Sequence, residues 1–126
     1  MTSVTELLAI NLFEVFGNRD APSRQAAIER TYSEDVVFTD PEGSVRGRAA
    51  LEEKAAAILD EAPTDFVFTE DGERYAASDV GALAWAFGPA GAPVVRGMDV
   101  ITVEDGRITS IRTFFIDDST VRPPSS

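Results

Sequence analysis

From Pro63 onward the hydrophobic period of this chain is two, and that change limits its fold more than any other feature. Before Pro63, apolar residues recur at three- and four-residue steps, as on one face of a helix; after it they alternate, as in half-buried strands. Leu51, Ala55, Ile58, Leu59 and Ala62 form one stripe on a helix that begins near Arg48 and that Pro63 ends. Further upstream, Ser3-Val4-Thr5-Glu6 has the spacing of a capping box, in which serine and glutamate each satisfy the other's backbone. The helix it opens carries Val4, Leu7, Leu8, Ile10, Leu12, Phe13, Val15 and Phe16, apolar on most sides, so it needs cover on more than one face. Gly17-Asn18 stops it, and Asp20-Ala21-Pro22 opens a second, shorter helix through Ala27, Ile28 and Tyr32.

Downstream of Pro63, residues 65–77, 80–88, 94–104 and 107–116 read as four successive strands. Residues 88–93 (GPAGAP) make one connection, and Glu104-Asp105-Gly106 is a tight hairpin signal. One earlier strand, residues 35–40, runs into a turn at Pro41-Glu42-Gly43. Helices grouped ahead of a strand meander give an α+β plan, with helices packed on one face of a curved antiparallel sheet. At 126 residues the chain is one domain, read here as residues 1–118, with 119–126 a disordered tail.

Composition closes several functional classes. There is no cysteine, so disulfides and thiolate chemistry are excluded, and no histidine, which removes the commonest general base and the commonest transition-metal ligand. Twenty-two acidic against eleven basic residues give a net charge of −11, which repels nucleic acid and anionic membranes. No apolar run reaches the ~18 residues of a membrane span, and no signal peptide is evident, so the expected address is the cytoplasm. The acidic groups at Glu70-Asp71-Glu73, Glu104-Asp105 and Asp117-Asp118 lack calcium-loop spacing, so neither a metal site nor a cofactor is expected. Proton chemistry falls to Asp, Glu, Tyr or Lys.

Two aspartates stand out. Asp40 ends the strand Val36-Val37-Phe38-Thr39 immediately before Pro41. That is a common turn opener, since Asp can hydrogen-bond its own backbone there, but the place also suits a base aimed into a cavity. Asp99 shares one strand face with Val95, Gly97, Ile101 and Val103. An ionised carboxylate among such neighbours is costly, so it pairs, reaches solvent or takes up a proton. A protonated aspartate donates a hydrogen bond where an ionised one only accepts. One charged and one neutral aspartate would supply a base and an acid without histidine.

The segments "YSEDVVFTDPEG…VRGRAAL" and "RGMDVITVEDGRITSIRTFF" resemble the SnoaL-like branch of the nuclear transport factor 2 superfamily, and within it ketosteroid isomerase. The resemblance spans about residues 4 to 117. It implies a cone, in which a bent, mixed or antiparallel sheet wraps three helices around an apolar cavity, and a homodimer through the outer sheet face. It makes Asp40 the base and Asp99 the neutral donor to a dienolate oxygen. Phe16, Tyr32, Trp85, Ile111 and Phe115 become substrate-binding residues. One departure is plain: the isomerase has an oxyanion-hole tyrosine on its first helix, where this chain has Leu12 or Phe16.

The expected function is therefore carboxylate-mediated proton transfer on a small apolar carbonyl compound, as in isomerisation, cyclisation or dehydration. A non-catalytic ligand-binding or interaction module of the same fold is the alternative. Epoxide hydrolysis ranks below both, because the Arg-Asp pair of that chemistry is replaced by Arg112-Thr113.

Overall fold

The computed structural model describes residues 2–116; the expected tail at 119–126 lies outside them. Helix α1 (Val4–Ala9) starts at the Ser3–Glu6 capping box, with both reciprocal hydrogen bonds in place. It continues without a break into a wider π-helical segment, Ile10–Phe16, in which the Gly17 N–H reaches back five residues to the Leu12 carbonyl. Helix α2 (Ala21–Thr31) is capped by Asp20, which accepts from the Ser23 N–H, and has Pro22 in its first turn. Tyr32 is not the last residue of α2 but the first of strand β1 (Tyr32–Asp40).

The turn expected at 41–43 is tighter than expected. Strand β2 (Gly43–Arg46) folds straight back on β1, pairing Asp40 with Gly43. Four residues are too few to show an alternation in sequence. Helix α3 (Arg48–Glu61) follows, then β3 (Phe66–Ala77), β4 (Val80–Pro89), β5 (Val95–Glu104) and β6 (Arg107–Ile116). The β5–β6 connection has positive φ at both Asp105 and Gly106, the geometry that matches the twist of two adjoining strands.

The six strands form one sheet in the order β2-β1-β6-β5-β4-β3. Of the expected mixed or antiparallel sheet it is the mixed kind, because β1 lies parallel to β6. An alternating pattern is the same for either direction, so only the tertiary path reveals this. Helix α1 packs against β3, β4 and β5, α2 against β1 and β6, and α3 against β1 and β2. The helices thus cover one face of the sheet from edge to edge, as in the cone of the nuclear transport factor 2-like fold. The buried core runs from Leu7, Leu8 and Leu12 on α1 and its π segment, through Leu51 on α3, to Ile101, Ile108 and Ile111 on the sheet. Among the described residues, no helix is long and apolar enough to cross a membrane.

Candidate active site

Strand register decides which side chains meet. On β5 the buried positions are Gly97, Asp99, Ile101 and Val103, the face that alternation gives. Asp99 stands opposite Leu83 of β4 and Thr113 of β6, while Gly97 stands opposite Trp85 and Phe115. The missing side chain of Gly97 makes room for the Trp85 indole: a Cβ there would run into the indole carbons and the Phe114 carbonyl. Gly97→Ala is therefore expected to cost about 1–3 kcal/mol of stability by overpacking and to displace the indole. Chemical denaturation followed by Trp85 emission checks both, because Trp85 is the only tryptophan.

Lying over Gly97, the indole Nε1 donates to Asp99 Oδ1 at 3.0 Å. Thr113 Oγ1 donates to the same oxygen at 2.7 Å, and Asn11 Nδ2, from the π-helical segment, donates to Oδ2 at 3.0 Å. Three of the carboxylate's roughly four lone-pair positions are thereby filled, leaving one on Oδ2. Asp99 is only 6% exposed. Burial pushes its carboxyl up to about 6, against the pull of the Thr113, Trp85 and Asn11 hydrogen bonds, which favour the charged form. Burial thus favours the neutral carboxyl implied by the isomerase resemblance, while the three donors oppose it.

Asp40 points to the same side of β1 as the buried Val36 and Phe38. Its Oδ1 accepts from the Glu42 N–H at 2.9 Å, closing the turn, and its Oδ2 pairs with Lys54 Nζ at 2.9 Å. Lys54 also donates to Glu42 Oε1 at 2.8 Å, and these carboxylates, Glu42 first, hold its ammonium above the usual lysine range. The turn and cavity readings of Asp40 are therefore compatible. One oxygen closes the turn, while the side chain as a whole, 6% exposed, borders a cavity.

That cavity has a volume of about 220 Å³. Phe16, Phe38, Phe68, Trp85, Phe87 and Phe115 give it aromatic walls, Leu12, Ile58 and Val95 add aliphatic ones, and Asp40, Asp99 and Thr113 are its polar groups. Phe68 stacks on Phe87 with ring centres 4.1 Å apart, and Phe16 on Phe38 at 5.4 Å. Phe115 meets Trp85 edge-on at 6.1 Å but is 52% exposed, which puts it at the mouth.

Of the seven residues singled out in sequence, Asp40, Asp99, Phe16, Trp85 and Phe115 border this one cavity. Two do not. Ile111 is 1% exposed and packs in the core, facing Phe38 across the β1–β6 pairing. Tyr32 has no exposed surface, and its hydroxyl donates to Asn11 Oδ1 behind the cavity wall. Sequence reasoning missed Asn11, Thr113 and Lys54. Asn11 had a signal, a lone amide between Ile10 and Leu12 on a helix apolar on most sides; Thr113 had another, its place between Ile111 and Phe115 on one strand face. Lys54 had none, since its partners depend on where α3 docks.

The model of the SnoaL-like domain matches residues 9–111, most of the chain. The chain belongs to the SnoaL-like family. No curated protein sequence matches it. Among solved structures, it is similar to a candidate isomerase of the SnoaL-like family from Agrobacterium tumefaciens. The TM-score is 0.81 at 19% identity, covering 88% of this chain and 95% of that one. A candidate SnoaL-like polyketide cyclase from Jannaschia sp. gives 0.73 at 15% identity, covering 91% and 90%. A candidate ketosteroid isomerase from Kribbella flavida gives 0.69 at 21%, covering 95% and 82%. At these identities the likeness is one of fold, and the SnoaL-like fold carries isomerase- and cyclase-named members alike.

Proposed function

We propose that this SnoaL-like protein is a cofactor-independent enzyme that moves a proton on a small, neutral, apolar carbonyl compound held in the cavity. The observation that carries the reading is that two carboxylates in different surroundings, Asp40 paired with Lys54 and Asp99 with no cationic partner, border one apolar space. Asp40 takes a proton from the carbon beside the carbonyl, and the electron pair moves onto the carbonyl oxygen. Asp99 in its protonated form donates a hydrogen bond to that developing oxyanion from its remaining Oδ2 position. Where the substrate has a β,γ double bond, returning the proton to the γ-carbon moves that bond into conjugation and completes an isomerisation. Attack of the enolate on a second carbonyl would instead give an aldol-type ring, and loss of a β-hydroxyl a dehydration.

Cavity dimensions and charge narrow the substrate. At about 220 Å³ the cavity is small for a ligand pocket and suits a compound of one or two rings. Among the described residues lining it none is cationic, so nothing there would hold a phosphate or carboxylate. A test follows directly. A small cyclic ketone in deuterium oxide should exchange its α-hydrogens faster with the protein than without it, as read by NMR. Saturable quenching of Trp85 with no exchange would leave the second reading, a non-catalytic binder of the same compounds. That alternative is favoured by one observation, the three hydrogen-bond donors on Asp99, which favour its charged form. Homodimerisation through the outer sheet face belongs to the same proposal, supported by exposed Val67, Tyr75 and Phe114; a one-chain mass by light scattering would remove it.

A further inference from the structure

Tyr32 is the largest fully buried side chain among the described residues, yet it does not reach the cavity. Its backbone is clamped: the carbonyl accepts from Arg48 Nε at 3.0 Å and Nη2 at 2.7 Å, and from Arg107 Nη1 at 3.3 Å. Its hydroxyl has one partner, Asn11 Oδ1. Asn11 is equally enclosed, with no exposed surface, and its other amide atom, Nδ2, donates to Asp99 Oδ2. The π-helical segment holds this asparagine in place alongside the cavity residues Leu12 and Phe16.

An asparagine amide can present either end to a neighbour, but here the choice is not free. Turning it over would face Nδ2 to the tyrosine hydroxyl, and the buried phenol proton would then have no acceptor. Orphaning a buried donor is expensive, so Tyr32 fixes the amide with its N–H₂ towards Asp99. The carboxylate then meets a donor on Oδ2 and is favoured in its charged form.

We propose that Tyr32 and Asn11 are positioning residues that set the protonation state of Asp99, with Tyr32 acting only through the orientation of the Asn11 amide. The other groups facing Asp99 are Trp85 from β4 and Thr113 from β6, both neutral donors. Across the cavity stands Asp40 of β1, with Lys54 of α3 upon it. None of these changes its bonding when the tyrosine hydroxyl is removed. In Tyr32→Phe the amide is free to turn and offer Oδ1, an acceptor that a protonated Asp99 can use and a charged one cannot. Asn11→Leu deletes the donor outright.

The carboxyl stretch of Asp99 by infrared spectroscopy, isolated by subtracting Asp99→Asn, reads the titration without any turnover. Asn11→Leu, which deletes a hydrogen bond to the charged form, should raise the midpoint by about one to two pH units, and Tyr32→Phe, which lets the acid form gain a neutral one, by about one. Tyr32→Phe removes a single oxygen atom, and if it fails to fold, Asn11→Leu decides. An unmoved midpoint in a folded variant overturns the proposal, as would a downward shift. Only the consequence for rate rests on Asp99 being the acid of the proposed reaction: Tyr32→Phe should then keep its activity to a higher pH. A shifted midpoint in a protein without ketone exchange would leave the relay standing and remove the enzymatic reading.

Discussion

Asp40→Asn should slow α-proton exchange of the ketone probe by about 10²- to 10⁴-fold, the usual contribution of a positioned general base. The substitution is chosen because it spares the structure. An asparagine oxygen still accepts the Glu42 N–H that closes the β1–β2 turn, and Lys54 keeps Glu42 as partner. The ion pair that is lost is largely shielded, with 6% of the Asp40 and 22% of the Lys54 side chain exposed, so the stability loss should be about 1–3 kcal/mol. Exchange kinetics and urea denaturation on the same sample separate the two effects. A folded Asp40→Asn protein exchanging at the wild-type rate would end the assignment of Asp40 as base.

A second large effect is on stability, and its sign follows from Asp99. Folding raises its carboxyl from the ordinary 3.8 to about 6, chiefly by burial. Between those values the folded chain holds a proton that the unfolded chain has released. Stability therefore falls as pH rises through that window, and above about pH 6 the whole cost of a buried charge is in place. The gap corresponds to about 3 kcal/mol at 1.36 kcal/mol per unit. Other carboxylates titrate in the same range, so the readout is the difference between wild type and Asp99→Asn, measured by urea denaturation from pH 4 to 7. That difference should shift by about 2 kcal/mol against the wild type over this range as pH rises. The absolute level of Asp99→Asn matters less, since its amide would face the Asn11 donor. A difference that does not vary with pH would mean that Asp99 titrates alike in both states.

The proposed reaction runs in the same direction on the rate side. The acid form of Asp99 is wanted for the oxyanion, so exchange should weaken above about pH 6. The contribution of Asp99 to stability and its protonated fraction are then both larger on the acid side of neutrality.

Much of this was legible in the residues. The capping box at Ser3, the stop at Pro63 and the Asp105-Gly106 hairpin lie where sequence puts them, because each depends on a few neighbouring backbone groups. Alternation along β5 placed Asp99 on the buried face for the same reason: successive side chains of a strand point to opposite sides whatever the strand packs against. Membership of the SnoaL-like family was carried by residues 9–111 as a whole.

What alternation could not supply was the partner across the sheet or beneath it. The parallel β1–β6 pairing, the Trp85 indole lying over Gly97, and Thr113 standing opposite Asp99 all depend on register between strands distant in the chain. Tyr32 looked like a wall of the site and stands one layer behind it, with Asn11 between. A sequence fixes which side of its own element a residue faces, since that is covalent geometry. Whether a carboxylate there is charged depends on its burial and on three donors brought from the π-helical segment, β4 and β6, and that is decided only when those elements close around it.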